Sequence, residues 1–348
     1  MRQPHFPTPA TTAGGLYRRG LFALGLGLGG LLQVGAAIAQ GTPKPDWSLA
    51  DMPAQDGRIF VVTGGTSGMG YEDAKALAGA GAQVVIAARN PERGEETVAR
   101  IRQAHPGAQV RFEAVDLADL ASVRALADRL EASLPRLDGL INNAAIMAPP
   151  ERGVSADGFE AQLATNYIGH FALTAHLLPL LRRSDAPRVV TLSSIAAARG
   201  RIDFEDLQAE QAYDPYASYA QSKLACLMFA FELQRRSEAA GWGIESFAAH
   251  PGVAATELVR RGPGLDSAFG QDWTRDRAQY HSPAQGALPT LYAVTAPDAQ
   301  PGRYYGPTAD AEHRGPLGLA RVPDAARDAE AAARLWALTE RLTGIHFP

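Results

Sequence analysis

The sequence contains one cysteine, Cys226, among 348 residues, so an internal disulfide, a thiolate metal cluster and a Cys-x-x-Cys redox pair are all excluded. Aromatic residues are scarce at 7%, while the hydrophobic share of 46% suffices for a sizeable core that packing alone must hold. An excess of basic charge is also missing. With 33 Lys and Arg against 37 Asp and Glu, a formal −4, the chain lacks the cationic surface that phosphate backbones or anionic membranes select, and nucleic acid is not an expected partner. The eight histidines fall at no metal-ligand spacing, so no metal site is expected, and His250 before Pro251 reads as a strand end. No internal repeat or low-complexity block interrupts the chain.

What is present begins with an N-terminus unlike the rest. Tyr17-Arg18-Arg19-Gly20-Leu21-Phe22 opens a glycine-rich apolar run to Ile38, and Ala37-Ile38-Ala39 gives a small-x-small cleavage signal. Paired arginines ahead of a weakly apolar stretch resemble a twin-arginine export signal cleaved after Ala39, which would place the mature protein in the periplasm. The alternatives are an uncleaved membrane anchor, for which the run is long enough, or a cytoplasmic protein. Residues 1–39 are thus read as a targeting segment that engages export machinery, 40–57 as a linker and lead-in, and 58–348 as one domain.

From Arg58 onward, short apolar runs alternate with helical patterns. Ile59 to Val62, Gln83 to Ile86, Val110 to Phe112, Leu137 to Ile141, Arg188 to Leu192 and Ile244 to Phe247 have the composition of strands covered on both faces. Between them Ala74, Leu77 and Ala78 recur at helical spacing, as do Val123, Leu126, Ala127 and Leu130, and Phe159 to Leu181 is long and apolar on one side. Repeated β-α-β units predict an α/β fold, a Rossmann-type doubly wound parallel sheet flanked by helices. A turn-rich segment from Arg261 to Ser282 and helices near Ala284 to Val294 and Ala325 to Leu342 read as a substrate-side excursion and a C-terminal cap.

Directly after the first strand comes Thr63-Gly64-Gly65-Thr66-Ser67-Gly68-Met69-Gly70, followed by an apolar helix. Glycines there permit a tight turn and bring backbone N–H groups close to a pyrophosphate at the positive end of that helix. On this motif alone a glycine-rich turn without a ligand remains the alternative.

The Gly-x-x-x-Gly-x-Gly spacing resembles the short-chain dehydrogenase/reductase family, and further stretches follow in that family's order. Asp116-Leu117 follows the third strand and Asn142-Asn143-Ala144-Ala145 the fourth. Asn166 opens an Asn-x-x-Gly, Ser193-Ser194 ends the fifth strand, Tyr219 and Lys223 form Tyr-x-x-x-Lys, and Pro251-Gly252 closes the sixth. Trp47 to Gly57, Ala88-Arg89-Asn90, His250 to Val253, Gly302 to Pro307 and Leu335-Trp336 are similar to the retinol-dehydrogenase-like and protochlorophyllide-reductase-like branch. Ala145 departs from the usual glycine and adds a methyl group beside the cofactor, which we expect to be tolerated.

The resemblance implies a nicotinamide-dependent oxidoreductase. Gly64, Thr66, Ser67, Gly68, Met69 and Gly70 would cradle the cofactor and Asp116 and Leu117 its adenine end. Asn143, Ala144, Pro251, Gly252, Val253 and Thr256 would add further contacts. Reducing a carbonyl needs a hydride on carbon and a proton on oxygen, and the nicotinamide supplies only the hydride. Tyr219, with a reference pKa near ~10, would carry the proton. Lys223 lies four residues on, on the same helix face, where its ammonium together with the oxidised nicotinamide would favour the phenolate. By resemblance Lys223 also bonds the nicotinamide ribose, Ser194 (the second serine of its pair, in preference to Ser193) holds the substrate oxygen, and Asn166 holds a water in a proton relay.

Ala88 and Arg89 stand after the second strand, where an acidic residue would bind the ribose 2′-hydroxyl of NAD. A guanidinium there suits a 2′-phosphate, so NADP(H) is favoured over NAD(H). The stretch from Arg199 to Tyr216 is expected to overhang the substrate. With Ile146, Met147 and Leu258 to Phe269 it predicts a partly hydrophobic pocket, unless those residues pack the insertion onto the core. Cys226, Leu227 and Phe231 read as core. The expected activity is interconversion of an alcohol and an aldehyde or ketone, with a small-molecule substrate, a hydrophobic one among the candidates. The alternatives are reduction of a carbon–carbon double bond and a non-catalytic dinucleotide-binding sensor or scaffold. The resemblance also makes a homo-oligomer plausible.

Overall fold

Strands buried along their whole length need cover on both faces, and Ile59–Thr63 and Gly139–Asn142 are such strands in the computed structural model. The structure describes residues 43, 44 and 46–348. The targeting segment and the expected cleavage after Ala39 lie outside the described residues.

Seven strands run parallel: β1 (Ile59–Thr63), β2 (Gln83–Ala88), β3 (Gln109–Ala114), β4 (Gly139–Asn142), β5 (Arg188–Leu192), β6 (Glu245–Ala249) and β7 (Tyr304–Ala309). An eighth, β8 (Arg314–Leu319), pairs antiparallel with β7, and the order across the sheet is β3-β2-β1-β4-β5-β6-β7-β8. Because the order reverses between β1 and β4, the loops leaving those strands diverge and open a crevice at their carboxyl ends.

The helices are α1 (Gly68–Gly79), α2 (Pro91–Ala104), α3 (Leu120–Ser133), α4 (Ala161–Leu163), α5 (Gly169–Leu181), α6 (Pro215–Ala240), α7 (Leu258–Arg261), α8 (Ala268–Asp276), α9 (Pro283–Thr295), α10 (Asp324–Arg327) and α11 (Ala329–Thr343). On one face α3, α5, α6 and α11 bury Leu126, Phe171, Phe229 and Trp336. On the other, α1, α2 and α9 bury Leu77, Ile101 and Leu291 against Phe60 and Ile86. The longest helix, α6, starts where Asp214 caps the Tyr216 and Ala217 amides ahead of Pro215 and stops at Gly241, whose φ of 65° an L residue rarely adopts. Asn90 and Pro91 start α2 in the same manner.

The structure adds to the sequence reading in four places. The long apolar stretch is helical from Ala161 to Leu181 but widens into a π turn at Ala164–Ile168, centred on Asn166. The segment read as turn-rich carries α7 and α8. Strands β7 and β8 extend the sheet beyond the sixth strand. The lead-in is also packed down, with Trp47 buried edge-on against Tyr292 at 5.4 Å and the Gln55 amide bonded to the Ala80 carbonyl. Among the described residues no helix is long and apolar enough to cross a membrane.

Candidate active site

The glycines after β1 are fixed by space as much as by conformation. Gly64 has φ +68°, and a Cβ there would come within 2.9 Å of the Ala144 backbone; at Gly70 a Cβ would meet the Asn143 amide nitrogen at 2.4 Å. Ser67 is the N-cap of α1, yet its side chain makes no capping bond. The first amides of α1 therefore keep their pull on an anion. Glycine cradle and uncapped helix end together fit a dinucleotide pyrophosphate.

Thr63 joins this loop to the β4 exit. Its Oγ1 accepts the Asn143 and Ala144 amides at 2.9 and 3.0 Å, and the Asn143 side chain donates to the Thr63 carbonyl at 2.7 Å. His170 Nε2 lies 2.9 Å from the same hydroxyl and its Nδ1 2.8 Å from the Asn166 carbonyl. Burial pushes His170 down to about 4, so the ring is neutral. With its hydrogen on Nδ1, it accepts the Thr63 hydrogen and completes that hydroxyl's bonding. Thr63 stood in the sequence only as the opening of the glycine loop, with no role of its own, and nothing marked His170, because their partners are remote in the chain.

The cleft beside this loop measures about 440 Å³. Gly64, Thr66, Ser67, Gly68, Met69, Asn143, Ala144, Arg89, Asp116 and Leu117 line it, with Thr256 contributed from beyond β6. Gly70, Pro251, Gly252 and Val253 stand behind the lining. Gly252, at φ +68°, is pressed against the His313 carbonyl, which the Val253 amide also engages at 2.8 Å. Two further arginines that the sequence reading did not single out, Arg93 and Arg261, join Arg89 at the rim. The position of Arg93 in the first turn of the helix after Arg89 was the available signal. Arg261 had none.

At the end of β5, Ser193 is buried and donates to the Lys223 carbonyl at 2.8 Å, whereas the Ser194 hydroxyl faces the phenol of Tyr219. Ser194 Oγ accepts the Ala196 amide at 3.1 Å, which leaves its hydrogen available. Burial pushes Tyr219 up to about 12, and the Ser194 hydroxyl pulls against that rise. Lys223 is anchored to the strand end and not to the phenol. Its Nζ donates to the Leu192 carbonyl at 3.1 Å and sits 6.0 Å from the centre of the Tyr219 ring, while burial lowers its own pKa. In this arrangement the group drawing the phenol toward acidity is Ser194.

Asn166 is fully buried in the π turn. Its Nδ2 donates to the Ile146 carbonyl at 3.0 Å and to Ser222 Oγ at 2.9 Å, while its Oδ1 accepts the Ile146 amide at 2.9 Å. Both amide hydrogens are committed to the protein, so the side chain pins the Ile146 segment of the cleft wall and offers no free hydrogen to a water relay. Cys226 donates to the Asn166 carbonyl at 3.1 Å from within the core.

Around Tyr219 lie Met147, Val259 and Trp273, with Tyr216, Leu258 and Tyr280 partly buried against them. Met147 and the segment after Leu258, expected to line a hydrophobic pocket, thus pack together around Tyr219, and Ile146, Met147 and Leu258 also line the cleft. The overhang expected of residues 199–216 is mostly absent. Leu207 is buried in the main core, and Phe204 packs on it under the Arg334 guanidinium at 4.0 Å, so that insertion is largely bound to the body.

Residues 58–262 match the family model described as short chain dehydrogenase. The chain is 42% identical to polyprenol dehydrogenase of Mus musculus over 306 residues, covering 84% of this chain and 86% of the relative. It is 38% identical to retinol dehydrogenase 12 of Mus musculus over 293 residues, 84% of this chain and 88% of the relative. A crystal structure of an uncharacterised protein from Mycobacterium paratuberculosis superimposes with a TM-score of 0.72 at 39% identity, covering 87% of this chain and 99% of that one.

Proposed function

Since the chain belongs to the short-chain dehydrogenase family and is a nicotinamide-dependent oxidoreductase of alcohols and carbonyls, we propose that it uses NADP(H) to interconvert an apolar alcohol with its aldehyde or ketone, with Tyr219 as the general acid/base. The observation that carries this reading is the pairing of the Ser194 hydroxyl with the buried Tyr219 phenol inside an apolar group of side chains. The names of the two Mus musculus relatives, a polyprenol and a retinol dehydrogenase, fit an apolar alcohol.

The bound dinucleotide supplies or accepts the hydride. Every other requirement falls to the chain. Gly64 to Met69 and the first turn of α1 would hold the pyrophosphate, and Arg89 with Arg93 would hold a 2′-phosphate. Met147, Leu258 and Trp273 exclude water from the reacting carbon. Tyr219, pushed up to about 12, carries its proton at neutral pH and gives it to the oxygen as charge develops there. Ser194, with its hydrogen free, donates to that oxygen or to the phenolate left behind. Lys223, held in place through the Leu192 carbonyl, would bond the nicotinamide ribose that the resemblance assigns to it.

Turnover of NADPH and of NADH with a panel of apolar aldehydes, ketones and enones tests the proposal. Alcohol products from aldehydes or ketones support it; a saturated carbonyl product would transfer the reading to carbon–carbon double-bond reduction. No turnover with any acceptor, alongside tight nucleotide binding, would leave a sensor or scaffold. For residues 1–39 the proposal is export with the fold and cofactor already assembled, supported by Arg18-Arg19 and Ala37-Ile38-Ala39. N-terminal sequencing of the protein recovered from periplasm tests it, with Gln40 as the expected first residue.

A further inference from the structure

Three guanidiniums from separate parts of the chain border one end of the cleft. Arg89 follows β2, Arg93 stands in the first turn of α2, and Arg261 is the last residue of α7, the short helix on the substrate side. All three are exposed. Among the described residues none forms a salt bridge. Glu257, the acidic group next to Arg261, lies 3.5 Å from Arg260 instead. Loss of hydration at the cleft wall and then repulsion from Arg93 hold Arg261 below the usual guanidinium range; Glu257 opposes the shift and Arg89 adds to it. Like charges gathered without a counterion repel one another, and a compact polyanion between them converts that repulsion into attraction.

The short helix carrying Arg261 also touches the other end of the site. Leu258 lies one turn earlier, lines the same cleft and packs into the apolar group around Tyr219, Met147 and Trp273. Just after Arg261, Gly262 is so close to the loop beyond β4 that a Cβ there would fall 1.8 Å from the Met147 carbonyl. One helical turn thus faces the phosphate end with Arg261 and the substrate end with Leu258.

We propose that Arg261 completes, with Arg89 and Arg93, the site for the cofactor's 2′-phosphate, and that a phosphate held there braces α7 over the substrate pocket. The inference rests on the NADP reading above and deepens it. NADP differs from NAD in adding the group that joins α7 to the body at α2. The choice of cofactor then also sets how firmly Leu258 covers the reacting centre.

The test uses the purified chain, Arg261→Ala and Arg261→Lys, with 2′,5′-ADP and 5′-AMP as probes of the phosphate end alone. Wild type should bind 2′,5′-ADP the more tightly, and Arg261→Ala should weaken that binding about 10- to 100-fold while leaving 5′-AMP unchanged. Arg261→Lys, which keeps the charge without the fork, should fall between them. Hydrogen exchange across residues 255–276 should slow more with NADP than with NAD in wild type and equally with both in Arg261→Ala. If wild type does not distinguish the two probes, the NADP reading fails and this inference with it. If wild type does distinguish them and Arg261→Ala binds 2′,5′-ADP normally, the inference alone is overturned. Equal protection by NADP and NAD in wild type would overturn the bracing of α7. Matching melting temperatures for wild type and both variants would exclude misfolding as the cause of any loss.

Discussion

Ser194 faces Tyr219 with its hydrogen free to donate, because its oxygen already accepts the Ala196 amide at 3.1 Å. Among apolar neighbours the buried phenol has Ser194 as its side-chain hydrogen-bond partner. In the proposed reaction this pairing would serve a developing negative charge on an organic oxygen. Tyr219→Phe removes the proton donor and leaves the ring's packing in place. It should lower kcat by about 10²–10⁴ with little change in nucleotide affinity. Ser194→Ala should lower kcat by about 10²–10³. Steady-state kinetics with titrated NADP binding checks both, and full turnover by Tyr219→Phe would remove Tyr219 from the chemistry.

The same pair sets the pH dependence. Tyr219 is pushed up to about 12, so at neutral pH it holds its proton and can act as an acid, while only a small fraction is phenolate and can act as a base. Alcohol oxidation should accordingly rise about tenfold per pH unit through the neutral and mildly alkaline range, and carbonyl reduction should stay nearly flat there. Measured kcat/KM profiles in both directions between pH 6 and about 9 decide the matter. A flat oxidation profile would mean that the bound dinucleotide or Lys223 acidifies the phenol far more than Ser194 does.

Sequence made the core of this site legible where its logic is local. Tyr219 and Lys223 are one helical turn apart, and Gly64, Gly68 and Gly70 sit in one loop, so spacing alone placed each set together. It failed where partners are distant. Thr63 meets His170, and Arg261 comes near Arg93, only because the fold brings α5 and α7 back to residues remote from them in the chain. It failed again where local composition misleads. Gly262-Pro263-Gly264 hid the short helices on either side, and the glycines and prolines of residues 302–318 concealed β7 and β8, which are strands through pairing at the sheet edge.

Cofactor choice can be read at Arg89 independently of Arg261. Arg89→Asp places a carboxylate where a 2′-phosphate would sit, and Asp accepts the ribose hydroxyls of NAD. The ratio of kcat/KM for NADPH to that for NADH should fall by about 10²-fold or more, corresponding to the loss of one charge-assisted contact and the gain of a repulsion. Parallel kinetics with the two reduced cofactors measure it. An unchanged ratio would make Arg89 a solvated surface residue.

Asp73 places a different pH dependence on the cofactor loop. It lies in α1, one turn beyond Met69, fully buried, with neither carboxylate oxygen hydrogen-bonded. Burial, and secondarily the charge of Glu72, holds its pKa well above the ordinary carboxylate range. Because the folded-state pKa lies above the unfolded one, the stability linked to the proton is complete below about 3.9. It is lost as pH rises through the folded value, where the fold must either bury a bare charge or open. A neutral Asp73 also leaves the positive end of α1 undiminished for a pyrophosphate, and its ionisation would oppose one. Asp73→Asn keeps the shape and cannot ionise. Its melting temperature should vary less than that of wild type as pH rises above about 4, with a gain of about 1–3 kcal/mol where wild type has lost the proton. Calorimetric melts of both proteins across that range, with NADP affinity measured at each pH, provide the check. Parallel curves would show that the Asp73 proton contributes nothing to stability. A slope confined to wild type would locate in this one carboxyl group a coupling between loss of its proton, unfolding and loosening of the phosphate loop.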